Sequence, residues 1–268
     1  DNIVKIWEVQ SGRAALTLEG SGSQVLSVAF SPDGEKLAAG YLESTARIWN
    51  LQSGQTMITL EDHHAPVGSV VFSPDGKWLA TGSYDKTAKI WNVGSGMAVF
   101  TLEGHNGFVN CLAFSPDGKI LATGSDDNTA KIWNLRTGKL LLTLEGHRNG
   151  VKCIAFSPAA SGTKWLATGA KDNTVKIWDL ESGQTALTLE GHKSGVSGIA
   201  FSPDGKRLTT GSDDGTVKTW ELGCDGLLQR WQETGKQAGL SLSQLREYGL
   251  ESLLDLHPDN EQKLIDTR

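Results

Sequence analysis

The stretch "GSDDNTAKIW", residues 124–133, decides the fold, because variants of it return along the chain. Related phrases are "GSYDKTAKIWN" at 82–92, "GAKDNTVKIWD" at 169–179, "GSDDGTVKTWE" at 211–221 and the weaker "GYLESTARIWN" at 40–50. The tryptophans that recur with a spacing of 42 residues, with one gap of 45, are Trp7, Trp49, Trp91, Trp133, Trp178 and Trp220. A fixed period in this range indicates a repeated supersecondary unit.

Each unit contains four predicted strands. In the unit around residues 124–133 the strands are "FVNCLAF", "KILATG", "TAKIWNL" and "LLLTL". Turn sequences separate them, such as "SPDG" at 115–118 and "RTGK" at 136–139. In the third strand Ile132 and Trp133 point to opposite faces, so both faces carry large apolar groups and need cover. Small sheets stacked radially provide that cover, because each sheet buries its faces on its neighbours.

Length and composition limit the class of protein. With 268 residues and 38% hydrophobic residues, the chain can form one large domain or two small ones. The net charge of -6 argues against nucleic acid as a partner, since phosphate backbones favour a basic surface. No apolar run approaches the roughly 20 residues that span a bilayer, which predicts no membrane segment.

The three cysteines show no CxxC pairing, which argues against a disulfide framework or a zinc ribbon. They are Cys111, Cys153 and Cys224. A reducing compartment fits this usage best, so we predict a cytoplasmic protein.

The period, the "GH" loops, "SPDG" and "SDDNTAKIW" together make residues 1 to about 222 resemble the WD-repeat β-propeller family. Only Trp178 and Asp179 form a literal Trp-Asp pair; the other units read Trp-Asn or Trp-Glu. The resemblance implies an all-β propeller of four-stranded antiparallel blades. We assign residues 1–232 to it, with five full blades and a two-stranded partial blade at the beginning. The leucine spacing after it predicts a short α-helical tail over 233–268.

The resemblance also implies a role for Asp127. In such propellers a loop histidine, a second-strand Ser or Thr, a turn aspartate and the strand tryptophan form a hydrogen-bonded chain. Matched by position, the four complete sets are His63, Thr81, Asp85 and Trp91; His105, Thr123, Asp127 and Trp133; His147, Thr168, Asp172 and Trp178; and His192, Thr210, Asp214 and Trp220. In the unit ending at Trp49 the corresponding residues are Ser21, Ala39 and Glu43, so the chain of bonds should be absent there.

These sets have two interpretations. Histidine and carboxylate groups could ligate a metal or perform acid–base chemistry. We favour a structural network, because an active site normally needs one unique constellation and this arrangement recurs in four near-identical copies. No catalytic residue, metal or cofactor is therefore predicted.

The resemblance places partner binding on the rim where the first strands begin and the acidic turns lie. The positions that point there differ between units while the framework repeats. They give the candidate surface Leu26, Leu42, Tyr84, Phe108, Asn110, Asp126, Lys152, Lys171 and Asp213. We predict that Tyr84 and Phe108 are anchors and that the two lysines select an acidic group. The alternative is loop variation without function.

The leading functional hypothesis is a non-catalytic interaction scaffold that binds a protein or peptide on this rim. One alternative is a C-terminal sensor module of a larger bacterial signalling ATPase or protease-like effector. A weaker alternative is a propeller hydrolase with a central metal or carboxylate site. Because the first blade is incomplete, we also expect self-association through it or fusion to an upstream domain.

Overall fold

A computed structural model describes residues 2–20, 22–158 and 165–222. These residues form 21 β-strands, and no helix occurs among them. Accordingly, no helix of this part of the chain is long and apolar enough to cross a membrane. The predicted helical tail over 233–268 and the domain boundary at residue 232 lie outside the described residues.

The strands pair as six antiparallel sheets in chain order. The first sheet has β1 (Ile3–Trp7) and β2 (Ala14–Glu19). The second has β3 (Val25–Phe30), β4 (Lys36–Tyr41), β5 (Ala46–Asn50) and β6 (Thr56–Leu60), and the third has β7 (Val67–Phe72), β8 (Trp78–Ser83), β9 (Ala88–Asn92) and β10 (Ala98–Leu102). The fourth has β11 (Val109–Phe114), β12 (Ile120–Ser125), β13 (Ala130–Asn134) and β14 (Leu140–Leu144), and the fifth has β15 (Val151–Phe156), β16 (Trp165–Ala170), β17 (Val175–Asp179) and β18 (Thr185–Leu189). The described strands of the sixth are β19 (Val196–Phe201), β20 (Arg207–Ser212) and β21 (Val217–Glu221).

The turn between the first two strands of a sheet follows from its sequence. In "SPDG" the Ser115 hydroxyl donates to Asp117 Oδ1 at 2.6 Å, and the same oxygen accepts the Lys119 backbone N–H at 3.1 Å. Ser115 Oγ in turn accepts the Ile120 N–H at 3.1 Å. These side-chain bonds satisfy backbone groups that the tight turn leaves unpaired, so β11 and β12 are joined in a fixed register.

The core lies between successive sheets. Ile132 is 1% exposed and Trp133 is 2% exposed, although they point to opposite faces of β13. Trp133 packs in a cluster with Ile90 of the third sheet, and Ile132 in a cluster with Val151 of the fifth. The first strands of successive sheets also contact each other, which places them innermost. The prediction of an all-β propeller of antiparallel sheets is confirmed, and the third, fourth and fifth sheets are covered on both faces.

Apolar side chains of β3 in the second sheet are less buried than the equivalent side chains of the next two sheets. Phe30 of β3 is 55% exposed, whereas the equivalent Phe72 and Phe114 are 6% and 9% exposed. The two-stranded first sheet packs on the second through Val4 and Leu18, yet leaves this side of β3 open. The predicted self-association through this region stays a prediction.

Candidate functional site

Asp127 lies in the turn between β12 and β13, where it meets a histidine from the preceding loop. His105 Nδ1 is 2.7 Å from Asp127 Oδ2, and its Nε2 is 2.7 Å from Thr123 Oγ1. Trp133 Nε1 donates to the same threonine oxygen at 2.9 Å. The four residues thus form one chain of bonds from the surface turn to the core.

The donors and acceptors of this chain balance without a positive charge on the ring. Thr123 Oγ1 accepts the indole N–H, and its own proton goes to His105 Nε2 at 2.7 Å in preference to Lys131 O at 3.5 Å, so His105 Nδ1–H donates to the carboxylate. Both ring nitrogens are used. This assignment describes a neutral imidazole held between a hydroxyl and a carboxylate.

Asp127 accepts more than the imidazole. Its Oδ2 accepts the Asn106 N–H at 2.9 Å, and its Oδ1 accepts the N–H and the hydroxyl of Thr129 at 3.0 and 2.7 Å. Burial by itself raises the pKa of the Asp127 carboxyl, but the bonds from His105, Thr129 and Asn106 outweigh burial and hold that pKa well below its usual value. The carboxylate is therefore ionised and fully engaged at neutral pH.

The same contacts recur in the other three sets. The distances from His Nδ1 to Asp Oδ2 are 2.7 Å for His63 and Asp85, 3.0 Å for His147 and Asp172, and 3.1 Å for His192 and Asp214. The threonines Thr81, Thr168 and Thr210 lie 2.7, 2.8 and 2.9 Å from the Nε2 atoms of these histidines. The indoles of Trp91 and Trp178 donate to their threonines at 2.8 Å, and Trp220 lies in β21. Burial lowers the pKa of His147 despite its aspartate, which supports a neutral ring.

The second sheet replaces this chain with an aromatic contact. Ala39 and Glu43 occupy the threonine and aspartate positions, and Ser21 lies outside the described residues. Instead, the Tyr41 ring is fully buried and packs on Trp49, with ring centroids 6.4 Å apart. The repeat pattern predicts the missing chain of bonds in this sheet but not the burial of Tyr41. The only sequence signal for Tyr41 is a bulky aromatic residue where Ser83 and Ser125 stand in the next two sheets.

We expect Tyr41→Phe to raise the free energy of unfolding by about 1 kcal/mol. The Tyr41 hydroxyl is buried and has no hydrogen-bond partner within the described residues, so its removal deletes a desolvated polar group and keeps the packing. Urea unfolding measures the change, and Tyr84→Phe, at a half-buried rim position, is the control. A destabilised Tyr41→Phe protein would mean that this hydroxyl has a partner.

Two aromatic residues predicted as anchors meet where the third and fourth sheets pack on each other. We call such a boundary between two successive sheets a seam. The rings of Tyr84 and Phe108 are stacked, with centroids 4.7 Å apart and planes 17° from parallel. Phe108 is 44% exposed. Backbone bonds fix both positions, since Tyr84 N–H donates to Pro66 O and Asp126 N–H donates to Phe108 O, each at 2.9 Å. The pair forms a flat apolar surface open to solvent.

Three polar rim residues form a second group beside this pair. Asp126 Oδ1 accepts Asn110 Nδ2 and Lys171 Nζ, both at 2.8 Å, and Asn110 Nδ2 also donates to Val151 O at 3.0 Å. Burial raises the pKa of Asp126, but the bonds from Lys171 and Asn110 more than compensate and leave it lowered. A Cβ at position 150 would lie 2.4 Å from Asp126 Oδ1, so Gly150 leaves the space for this bridge between the fourth and fifth sheets.

This bridge changes the expected role of one lysine. Lys171 was predicted to select an acidic partner together with Lys152, but its ammonium is already paired with Asp126 because the sheets bring residues 45 positions apart into contact. Lys152 is exposed and forms no ion pair within the described ranges. Leu26 lies in β3, Leu42 in the turn after β4 and Asp213 in the turn after β20, and none of the three belongs to either group.

The site offers no metal-binding cluster. Within the described residues no group of three or more His, Cys, Asp or Glu side chains could hold a metal ion. His64, next to His63, is exposed in its loop, while its backbone N–H donates to Asp85.

Comparison with known protein families agrees with the repeat. A family model described as "WDR90, 4th beta-propeller" matches residues 108–249, which is more than half of the 268 residues. A second model, "WD domain, G-beta repeat", matches residues 12–50 and 54–92. No curated protein matches the chain.

Proposed function

The chain belongs to the WD-repeat β-propeller family, and we propose that it is a non-catalytic scaffold that binds a protein or peptide on the rim at Tyr84 and Phe108. Propellers of this family are generally protein-interaction scaffolds. The observation that carries the proposal is the solvent-exposed stacked pair, which lies on the rim beside Asn110, Asp126 and Lys171, whose polar groups bond each other.

The stacked pair has the properties of an interface anchor. Aromatic side chains supply most of the energy in many interfaces because they bury large areas with few rotatable bonds. Each ring of this pair limits the motion of the other, so little further entropy is lost when a partner covers them. A partner with an apolar or aromatic side chain would complete the stack.

Charge beside the pair suggests how a partner is selected. Asp126, Asn110 and Lys171 satisfy one another, whereas Lys152 beside them is an exposed cation with no ion pair within the described residues. A carboxylate on the partner would meet that ammonium. Because the contact is exposed, it should affect the association rate and specificity more than the affinity.

The histidine sets support a non-catalytic role. In each set both ring nitrogens lie within 3.1 Å of a protein oxygen, as for His105 and His192. A general base needs a nitrogen that can reach a substrate proton. The structural hydrogen bonds use both nitrogens of each imidazole, and the arrangement is the same in all four sets.

Alanine replacement of both anchors tests the proposal. A partner is first captured with the full chain and identified by mass spectrometry. The double variant Tyr84→Ala, Phe108→Ala is then expected to bind this partner about 100-fold more weakly by calorimetry. Met97→Ala, which removes a 69% exposed apolar side chain beside β10, should bind as the unmodified protein does. Unchanged affinity in the folded double variant would place the binding surface elsewhere.

We extend the proposal to a cytoplasmic location. Cys111 and Cys153 are free and buried, and burial raises the pKa of Cys153 to about 12, so these thiols are poor nucleophiles. Buried unpaired thiols suit a reducing compartment. Fluorescence microscopy of the tagged protein tests the location, and a signal confined to the cell exterior would contradict it.

A further inference from the structure

A cleft opens between the third and fourth sheets, at the end of the strands away from Tyr84 and Phe108. Its volume is about 620 Å³. The turns that reach it join β11 to β12 and β13 to β14, whereas the acidic turn with Asp126 joins β12 to β13. In antiparallel sheets alternate turns lie at opposite ends, so the cleft is separate from the proposed rim site.

The inner part of the cleft is apolar. Trp78, Ile90 and Phe100 of the third sheet face Leu135 of the fourth, and this wall is continuous with the core between the two sheets. Ile90 is buried, while Trp78 and Phe100 are half-buried. A ligand can therefore add its own apolar group to a wall that is already packed against the core.

The position of Phe100 depends on a glycine in the next sheet. A Cβ at position 138 would lie 2.5 Å from Phe100 Cδ1, and Gly138 also has a φ of 69°. Glycine is the residue that tolerates both conditions. The Phe100 ring therefore lies directly against the turn that carries Arg136.

Two cations flank the mouth of the cleft. Arg136 is exposed and forms no ion pair within the described ranges, although its backbone N–H donates to Asn134 Oδ1 at 2.9 Å and so fixes the turn. Lys119 Nζ is 3.3 Å from Asp117 Oδ2, but the two side chains are 80% and 55% exposed. Exposed pairs of this kind contribute little energy, so Lys119 remains available to a ligand.

This combination does not recur at the two neighbouring seams. Strand register and turn bonding identify the residues that correspond to Trp78, Phe100 and Arg136 elsewhere. Between the second and third sheets they are Lys36, Ile58 and Gly94. Between the fourth and fifth sheets they are Ile120, Leu142 and Glu181. Both neighbours lack the aromatic pair, and the second has an acid in place of the arginine. The framework is common to all three seams, so the aromatic wall with its cations is a local feature and not a requirement of the fold.

We propose that this cleft binds a peptide segment of a partner protein in which a large apolar side chain is flanked by carboxylates. The apolar side chain enters between Trp78 and Phe100, where it leaves water for a preformed apolar wall. The flanking carboxylates meet Arg136 and Lys119 at the mouth, and arginine can hold a carboxylate through two parallel bonds. The chain then carries two binding surfaces at opposite ends of its strands.

Short blocked peptides can test the cleft without knowledge of the natural partner. The probe is acetyl-EEFEE-amide, and the controls are acetyl-KKFKK-amide, which reverses the charge, and acetyl-EEGEE-amide, which lacks the apolar group. The full chain is labelled with 5-fluorotryptophan, and the Trp78 signal is assigned in the ¹⁹F NMR spectrum from Trp78→Phe. We expect the Trp78 signal to shift saturably with the probe and at least tenfold more weakly with either control.

Two variants separate this site from the rim. Arg136→Glu, which introduces the residue type found at position 181, should weaken probe binding at least tenfold, and Arg136→Lys should restore part of it. The position is exposed, so both proteins should fold. The double variant Tyr84→Ala, Phe108→Ala should bind the probe unchanged, which distinguishes a failure here from a failure of the rim proposal. A Trp78 signal that does not move, equal binding of the basic peptide, or Arg136→Glu without effect would overturn the proposal.

Discussion

Trp133→Ala is expected to lower the free energy of unfolding by about 4 kcal/mol. Trp133 is 2% exposed and packs in the core between the third and fourth sheets, and its indole N–H donates to Thr123. Truncation leaves a large cavity in a seam that cannot close, because β13 is paired on both sides. It also removes one donor from the bonds that lead to Asp127.

The chain contains a matched control for this change. Trp7 occupies the equivalent position in β1 but is 55% exposed. We expect Trp7→Ala to cost less than about 1 kcal/mol, since little area is buried and no tight cavity forms. Urea unfolding of both variants measures the difference, and equal losses would contradict the idea that stacking between sheets gives the recurring tryptophan its energy.

Asp127→Ala is expected to cost about 3 kcal/mol, because it removes the acceptor of four donors at once, one of them the buried imidazole of His105. These donors are the imidazole of His105, the backbone N–H of Asn106, and the N–H and hydroxyl of Thr129. Alanine supplies no replacement acceptor, and the loop that carries His105 loses its bond to the turn. The loss should be measured by urea unfolding at neutral pH.

Glu43→Ala is the matched control in the second sheet. Glu43 is an exposed residue that accepts a bond from Thr45 and lies 4.0 Å from Arg47, so we expect a change within about 0.5 kcal/mol. A similar cost for both substitutions would show that the turn, and not the network, needs the carboxylate.

Acidification provides a further check on Asp127. Its folded pKa is depressed below the unfolded value, which is about 3.9, so its stabilisation is present above that pH and is lost as pH falls through the folded pKa. The gap in stability between the unmodified protein and Asp127→Ala should therefore narrow below about pH 4. A gap that stays constant would mean that the charged form is not what the network stabilises.

Local sequence was enough to predict most of the strands. "FVNCLAF" at 108–114 corresponds to β11, Val109–Phe114, and "LLLTL" is β14, Leu140–Leu144. The prediction succeeded because turn residues and apolar runs act over a few positions and because the period repeats them. The bonds among His105, Thr123, Asp127 and Trp133 were anticipated from the resemblance to the WD-repeat family, and the period extends the same pattern to the other three sets.

Contacts between side chains of two different sheets could not be predicted from the local sequence. The bridge from Lys171 to Asp126 joins the fourth and fifth sheets, and it uses a lysine that the sequence suggested was available to a partner. The stack of Tyr84 on Phe108 joins two units, as does the cleft between Trp78 and Arg136. The distance between such side chains depends on how sheets pack, which no single repeat encodes.

By itself the sequence determined the repeating unit, its strands and its turns, and its resemblance to the WD-repeat family indicated the residues of the internal histidine–aspartate chain. The tertiary structure alone decided which surface groups remain free, because a charge or a ring on one sheet is satisfied or left open by its neighbour in the next. The physical reason is range: turn bonds and strand alternation act within a unit, whereas ion pairing, ring stacking and clefts arise where two units meet.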